Sequence, residues 1–439
     1  MRVKMYVWVI MLVTLIVSSG CSFPNELVTE QPEIMPGETV EPTSTAVVSP
    51  PPALPSSTAT IPGPPTEAPK ATFPAEAPPT LTAGIDLEIA FIHMVNRDSG
   101  WAIGGVTGSR ARILYTINGA ETFRDVTPPI GSELAGGVDK WAVGAFIDDE
   151  NAHVLYFPAI MEPSPPGGAD LVIWRTQDAG LSWTQSEVIS TSVLGTQNFP
   201  PRLHFINRSE GWFMARNGGV GMHRYPISLY RTQDGADTWD LLIGAIGGGE
   251  LQSCRKTGWA FGDLSNGLAT IDNCPVDGPP IEQTADGGTT WARVILPPPQ
   301  EQPETVSSAY CETSSPQFVT ADLLLLSASC TSYSDPQVER TLLYRSADGG
   351  QTWDTWDFPG GDIFFLDESR GFALGREIYW TADGGVTWEQ EKSVNWDGQF
   401  SFVDADVGWA VARADDEIAL VKTEDRGKTW QIIEPLLER

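Results

Sequence analysis

The chain has 439 residues, with 27 Lys and Arg against 57 Asp and Glu, and a formal net charge of −30. That balance argues against nucleic acid as a partner, because phosphates would be repelled, and against electrostatic docking on anionic lipid. A content of 43 Gly, 35 Pro and 16 Trp suits a turn-rich all-β protein.

Residues 1–21 read as a targeting segment. Arg2 and Lys4 form a basic start, and Met5 to Val17 is apolar apart from Thr14, too short to span a membrane. Ser18-Ser19-Gly20-Cys21 resembles a bacterial lipobox. The resemblance implies a lipoprotein signal peptide with Cys21 lipidated. It places the chain in the bacterial cell envelope, outside the cytoplasm, with its membrane contact through that lipid.

Residues 22–84 are rich in Pro, Thr, Ser, Ala and Glu, with runs such as Ser49-Pro50-Pro51-Pro52. Such a segment has too few large apolar groups to build a core, and it is expected to be a disordered tether. Fully extended, at about 3.1 Å per residue, it would reach roughly 200 Å.

Residues 85–439 carry seven copies of one short pattern: Ser/Thr, any residue, Asp, two spacers that are often Gly, any residue, Thr/Ser, Trp. Thr284 to Trp291, Ser346 to Trp353 and Thr381 to Trp388 are clean copies. Thr176 to Trp183, Thr232 to Trp239 and Thr423 to Trp430 change a spacer. Thr116 to Phe123 has Asn118 for Asp and Phe123 for Trp. The pattern reads as a hairpin turn. Its Asp accepts backbone N–H bonds, its Gly residues allow positive φ, and its Trp packs between neighbouring sheets.

A second motif falls between the turns: Gly100-Trp101-Ala102, Gly211-Trp212-Phe213, Gly258-Trp259-Ala260, Gly371-Phe372-Ala373 and Gly408-Trp409-Ala410. Repeats two and five carry the apolar runs His153 to Phe157 and Leu323 to Leu326 instead. One unit then reads as four strands: Phe400 to Val403, Gly408 to Ala412, Ile418 to Lys422 and Thr429 to Ile433. Four short strands at a period of about 50 residues, with no helical pattern, describe a propeller blade. Seven units give an all-β, seven-bladed β-propeller behind a disordered tether.

The turn pattern resembles the Asp-box, or BNR repeat. Paired with the Gly-Trp-Ala strand it resembles the photosystem II assembly and stability factor family of seven-bladed propellers, over essentially all of residues 85–439. Asp-boxes also occur in sialidases, xyloglucan-degrading glycosidases and sortilin-type receptors. The resemblance implies that Asp178, Asp234, Asp286, Asp348, Asp383 and Asp425 are structural, on turns away from the ligand face.

Catalytic constellations are missing from the pattern. A sialidase needs an arginine cluster, a Tyr nucleophile with a Glu partner, and an acid Asp. Its Arg-Ile-Pro signature is absent, Arg112-Ile113-Leu114 being the nearest fragment. His93, His153, His204 and His223 form no HxH or HExxH pair, so no metal site is expected, and no cofactor is implied. Cys254, Cys274, Cys311 and Cys330 allow three disulfide pairings. Local loops favour Cys254–Cys274 and Cys311–Cys330.

Loop length points to a ligand face. The loops between second and third strands are read as long in four consecutive repeats: 158–169, 216–226, 263–280 and 330–340. Long loops on a rigid ring are the usual place for binding. His223, Arg224, Tyr225 and Tyr333 are the candidate binding residues there. The leading expectation is a surface-tethered, non-enzymatic propeller that engages a protein or glycan. The alternative is an exo-acting, sialidase-like glycosidase.

Overall fold

The computed structural model describes residues 80–106, 110–130, 140–158, 169–191, 200–216, 225, 227–244, 250–272, 274, 276–335 and 339–438. Cys21, His223, Arg224 and most of the tether lie outside them, as do most of the 158–169 and 216–226 loops.

Seven antiparallel sheets follow one another along the chain, each a meander of four strands with neighbours in sequence paired in space. Blade one comprises Glu88–Met94, Gly100–Gly105, Arg112–Thr116 and Thr122–Asp125. Blade two comprises Lys140–Phe146, Ala152–Pro158, Ile173–Thr176 and Thr184–Gln185, and blade three Arg202–Phe205, Gly211–Arg216, Ile227–Thr232 and Asp240–Ile243. Blade four comprises Arg255–Phe261, Gly267–Asp272, Pro280–Thr284 and Ala292–Ile295. Blade five comprises Ala309–Thr313, Leu324–Ser332, Glu339–Ser346 and Asp354–Asp357, with Gln317–Phe318 continuing its first strand. Blade six comprises Asp362–Phe365, Gly371–Leu374, Glu377–Thr381 and Glu389–Ser393, and blade seven Asp397–Phe402, Gly408–Ala414, Glu417–Thr423 and Gln431–Ile433. The molecule is a seven-bladed β-propeller.

The ring closes between blades seven and one. Backbone N–H groups of Ile92 and Met94 donate to Gln399 Oε1 (2.8 Å) and Ser401 Oγ (2.9 Å). Leu436–Leu437 then adds a parallel strand to Thr122–Phe123, and Leu436 also bridges Asp86. Leu81 and Ile85 pack against the same core. The first and last described segments are thereby pinned to blade one, and Leu436–Leu437 covers the edge of its fourth strand.

One pattern recurs at four of the seven junctions between blades. The second residue of a second strand stacks on the aromatic that ends the following blade's first strand. Trp101 meets Phe146 (5.5 Å), His153 meets Phe205 (3.8 Å), Trp212 meets Phe261 (3.8 Å) and Phe372 meets Phe402 (4.1 Å). The indole N–H of Trp101, Trp212 and Trp409 donates to a turn carbonyl of the next blade, at 2.8–3.0 Å. The Gly before the stacking residue is a matter of space. A Cβ at Gly211 or Gly408 would lie 2.5 Å from the Phe205 or Phe402 ring of its own blade.

This register corrects the reading of repeat four. Gly258-Trp259-Ala260 lies on the first strand of its blade, and the second strand begins at Gly267. The equivalent of Gly-Trp-Ala there is Gly267-Leu268-Ala269, with Leu268 buried at the Trp position. The segment 263–280 is therefore not one long loop. It contains a tight turn and a whole strand, and the true second-to-third connection is 273–279. In blade five the second strand likewise continues to Ser332, so its connection is 333–338.

The disulfides Cys254–Cys274 and Cys311–Cys330 form in blades four and five. Cys254 and Cys274 flank the start of the first strand and the end of the second in blade four, and Cys311 and Cys330 face each other in register on those strands of blade five.

Candidate functional site

The two faces of the ring differ in how much of their chemistry is already used. On one face lie the seven box turns. In a typical copy Thr284 Oγ1 donates to Asp286 Oδ1 (2.8 Å) and accepts the Gly288 N–H (3.0 Å). Asp286 then accepts from the backbone N–H of Thr290 (2.8 Å) and from its hydroxyl (2.6 Å). The same network recurs at Asp178, Asp234, Asp348, Asp383 and Asp425, and Asn118 keeps most of it. Hydrogen bonds from Thr352 and Ser346 hold the Asp348 carboxyl down at about 2. Both spacers take positive φ in all seven copies, including the non-glycines Ala120, Ala179, Ala236 and Arg426.

The box Trp residues are less buried than packing between sheets suggests. Trp291, Trp353 and Trp388 are half-buried, and each indole N–H folds back onto its own box carbonyl at 3.0–3.1 Å.

A second family of turns, not singled out in the sequence, lies on the same face. Asn96, Asp148, Asn207, Asp263, Asp367 and Asp404 each join first and second strands and accept two backbone N–H bonds. The first box spacer then donates to a carbonyl of that turn at 2.7–3.0 Å in five blades with Gly there and in two with Ala179 or Arg426. The signal was legible as an aromatic or Met six residues before each Gly, with Asx two after it.

The residue before each box Thr or Ser is also committed. Arg175 and Gln283 donate to the Gly235 and Gly350 carbonyls of the next blade's box (2.8 and 3.0 Å), and Arg231 and Arg345 lie against Gly287 and Gly384. Most other described arginines pair with carboxylates, among them Arg97, Arg112, Arg208, Arg255, Arg293, Arg340, Arg370 and Arg376.

Three arginines on the opposite face escape both uses. Arg110 stacks over the Trp141 ring at 4.6 Å. Arg202 begins the innermost strand of blade three, and burial pushes its guanidinium pKa down. Arg413 ends the second strand of blade seven, where it donates to the Ala90 carbonyl at 2.5 Å. Its pKa is also lowered, first by burial and then by the like charge of Arg110. None of the three makes an ion pair among the described residues.

Arg110 and Arg202 share a cleft of about 450 Å³ between the inner strands of blades one to three. Phe91, Trp141, Val143, Phe157 and Leu203 supply its apolar wall. No tyrosine and no carboxylate lines it among the described residues. A Tyr–Glu pair does occur, with Tyr310 OH donating to Glu312 at 3.1 Å, but on blade five.

Tyr225, in the second-to-third connection of blade three beside Gln252, and Tyr333, in that of blade five, belong to a separate stretch of this face, next to the disulfide-bonded blades four and five. Tyr225 lies near Arg255, whose Nε donates to Asp272 at 2.6 Å. Tyr333 is 57% exposed, and desolvation and the Asp277 carboxylate raise its phenol pKa. Neither tyrosine lines the arginine cleft.

Blade four also buries an ion triad that the sequence reading did not find. Lys256 and Glu282 pair at 2.9 Å with fully buried side chains, and Arg293 adds a bond of 2.9 Å. Burial raises the Glu282 carboxyl, opposed by Lys256 and Arg293. With no accessible surface on Lys256 or Glu282, the triad is structural. Among the described residues, no group of three or more His, Cys, Asp or Glu is placed to hold a metal ion.

No family description matches the chain, and no curated protein matches it. Solved structures do. YCF48 bound to a D1 peptide is 15% identical, with 80% of this chain and 97% of that one covered and a TM-score of 0.46. YCF48 from Cyanidioschyzon merolae is 17% identical over 81% and 98%, with a TM-score of 0.45. A polysaccharide lyase, a PL25 ulvan lyase bound to -[GlcA(1-4)Rha3S]-, is 11% identical over 81% and 96%, also at 0.45. Binding proteins and carbohydrate-active enzymes stand side by side among them, so none assigns an activity to this chain.

Proposed function

We propose that the chain is a non-enzymatic binding module, tethered to a bacterial envelope through lipidated Cys21, that engages a protein partner at the Arg110–Trp141 cleft. The partner segment presents a carboxylate beside an apolar side chain. The carboxylate meets Arg110, Arg202 and Arg413, and the apolar group lies on Trp141 and Phe157.

The observation that carries this reading is the set of three arginines without carboxylates in a protein of net charge −30. Clustering like charges against an apolar wall is unfavourable unless a ligand offsets it. Arginine and Trp together provide the planar donors and the desolvated surface that dominate binding hot spots. A rigid ring fixes these groups before the ligand arrives, which lowers the ordering cost of association.

The test is site-directed crosslinking. A photoreactive amino acid at Trp141, in the full chain in its native envelope, should give one dominant protein adduct, which Arg202→Glu removes. Absence of any protein adduct, or an adduct unchanged by Arg202→Glu, would contradict the proposal.

A further inference from the structure

A different surface, on the outer flank of the ring, has the chemistry of a sugar-binding groove. It lies between blades six and seven, where the chain is described without a gap from 339 to 438. Lys392, Asn395, Trp396, Lys428, Thr429 and Trp430 are its principal lining groups, around about 670 Å³.

The two indoles make a corner. Trp396 and Trp430 stand 5.6 Å apart at 90°, so one presents a face and the other an edge. Behind them blade seven packs small residues, Ala410, Ala412 and Ala419, with Phe400. Trp396 sits in the connection between the blades and is held by Phe400 at 5.7 Å.

The polar groups around this corner are mainly donors: two ammonium groups, an amide and hydroxyls. The described residues have few lysines to place. Five lysines occur in residues 80–439, and two of them are here. The Glu391 side chain, 2% exposed, is shared by Lys428 (3.2 Å) and Arg426 (3.4 Å). Asp406 also pairs with Arg426 at 3.8 Å, so this cluster is neutral overall and serves to fix Lys428. Lys392 supplies the positive charge in excess and makes no ion pair among the described residues.

We infer that this groove binds an acidic glycan, one whose sugar rings carry carboxylate or sulfate groups. A pyranose ring presents a flat patch of C–H groups that fits an indole face, with hydroxyls and anionic groups at its rim for the donors. An aliphatic peptide anchor would need an apolar pocket, and Val394 is the single aliphatic side chain lining this groove. The inference does not depend on the arginine cleft.

The test is calorimetric titration of the full chain with oligogalacturonate, with a sulfated glycosaminoglycan oligosaccharide, and with neutral dextran. At least one acidic probe should bind, weakening with salt as charge pairing requires, and dextran should not. The carboxylated and sulfated arms identify which anionic group is preferred. Lys392→Glu, an exposed change that should leave folding intact, is expected to weaken binding at least tenfold, and Trp396→Ala to abolish it. Arg110→Glu should have no effect. Equal binding of dextran, no binding of either acidic probe, or full binding by Lys392→Glu would overturn the inference. So would loss of binding in Arg110→Glu, which would move the glycan to the ring face.

Discussion

The indole of Trp212 lies flat on the ring of Phe261, 3.8 Å between centroids and 2° from parallel, although the two belong to different blades. Its N–H simultaneously reaches the Gly287 carbonyl of that next blade at 2.8 Å. One side chain thus supplies both the apolar and the polar bond across the interface, and it is fully buried. Trp212→Ala should cost about 3–5 kcal/mol, and Trp388→Ala, half-buried on the outer turn, roughly 2 kcal/mol. Urea midpoints of the two variants measure the difference. Equal losses would show that the stacking position has no special weight.

His153 occupies the same position in blade two, stacked on Phe205 at 3.8 Å and 9°. Its Nε2 lies 3.3 Å from the Gly235 carbonyl, which places the proton on that nitrogen. Burial is the main cause that pushes its pKa from 6.5 down to about 4. The unfolded chain therefore takes up a proton before the folded one does. The stability from neutral His153 is complete above about pH 6.5 and is lost progressively as pH falls to about 4, by about 3 kcal/mol in all. His93 and His204 shift in the same direction, so the comparison must be with His153→Phe. That variant should lose less stability between pH 7.5 and 4.5 than wild type. Parallel curves would mean that His153 titrates normally.

The spacer alanines give a test of opposite sign. Ala179 has φ +56° at a turn position where five of the other six boxes carry Gly. A non-glycine residue in that region is strained by roughly 1–2 kcal/mol. Ala179→Gly should therefore raise stability, by about 0.5–1 kcal/mol after the cost of the freer unfolded chain. A lower melting temperature would refute the strain argument.

Much of the ring was legible because its determinants are local. The Thr-x-Asp turn closes within eight residues, so seven copies in the sequence give seven turns in space. The stacking register was only partly legible. Trp259 satisfied the Gly-Trp-Ala pattern yet sits on a first strand, because what defines the second strand is a Gly packed on an aromatic six residues earlier, as Gly267 is on Phe261. Leu268 fills the Trp position without resembling it. The binding groups were harder still. Arg110, Arg202 and Arg413 are distant in sequence, and what marks them is that they gather on the face opposite the box turns with no ion pair among the described residues. That is a property of the folded ring, not of any window of residues. Tyr225 and Tyr333 were chosen for loop length, and the structure sets them apart from the cleft.

Lys256 and Glu282 show the same limit for a structural pair. Each is ordinary in sequence, and together they are a fully buried ion pair. Glu282→Ala would leave the buried Lys256 ammonium without its carboxylate, at a cost of about 3–5 kcal/mol. Replacing both by Met should recover most of that loss. Chemical denaturation of the single and double variants separates these outcomes, and a double variant as unstable as Glu282→Ala would contradict them.

Hydrogen exchange of the full chain, with and without its captured protein partner, tests the ligand face most directly. The account predicts slowed exchange in the inner strands around the cleft, at 88–92, 140–144 and 202–205, with the box turns unchanged. Protection confined to the box face, for example at 346–353, would contradict it.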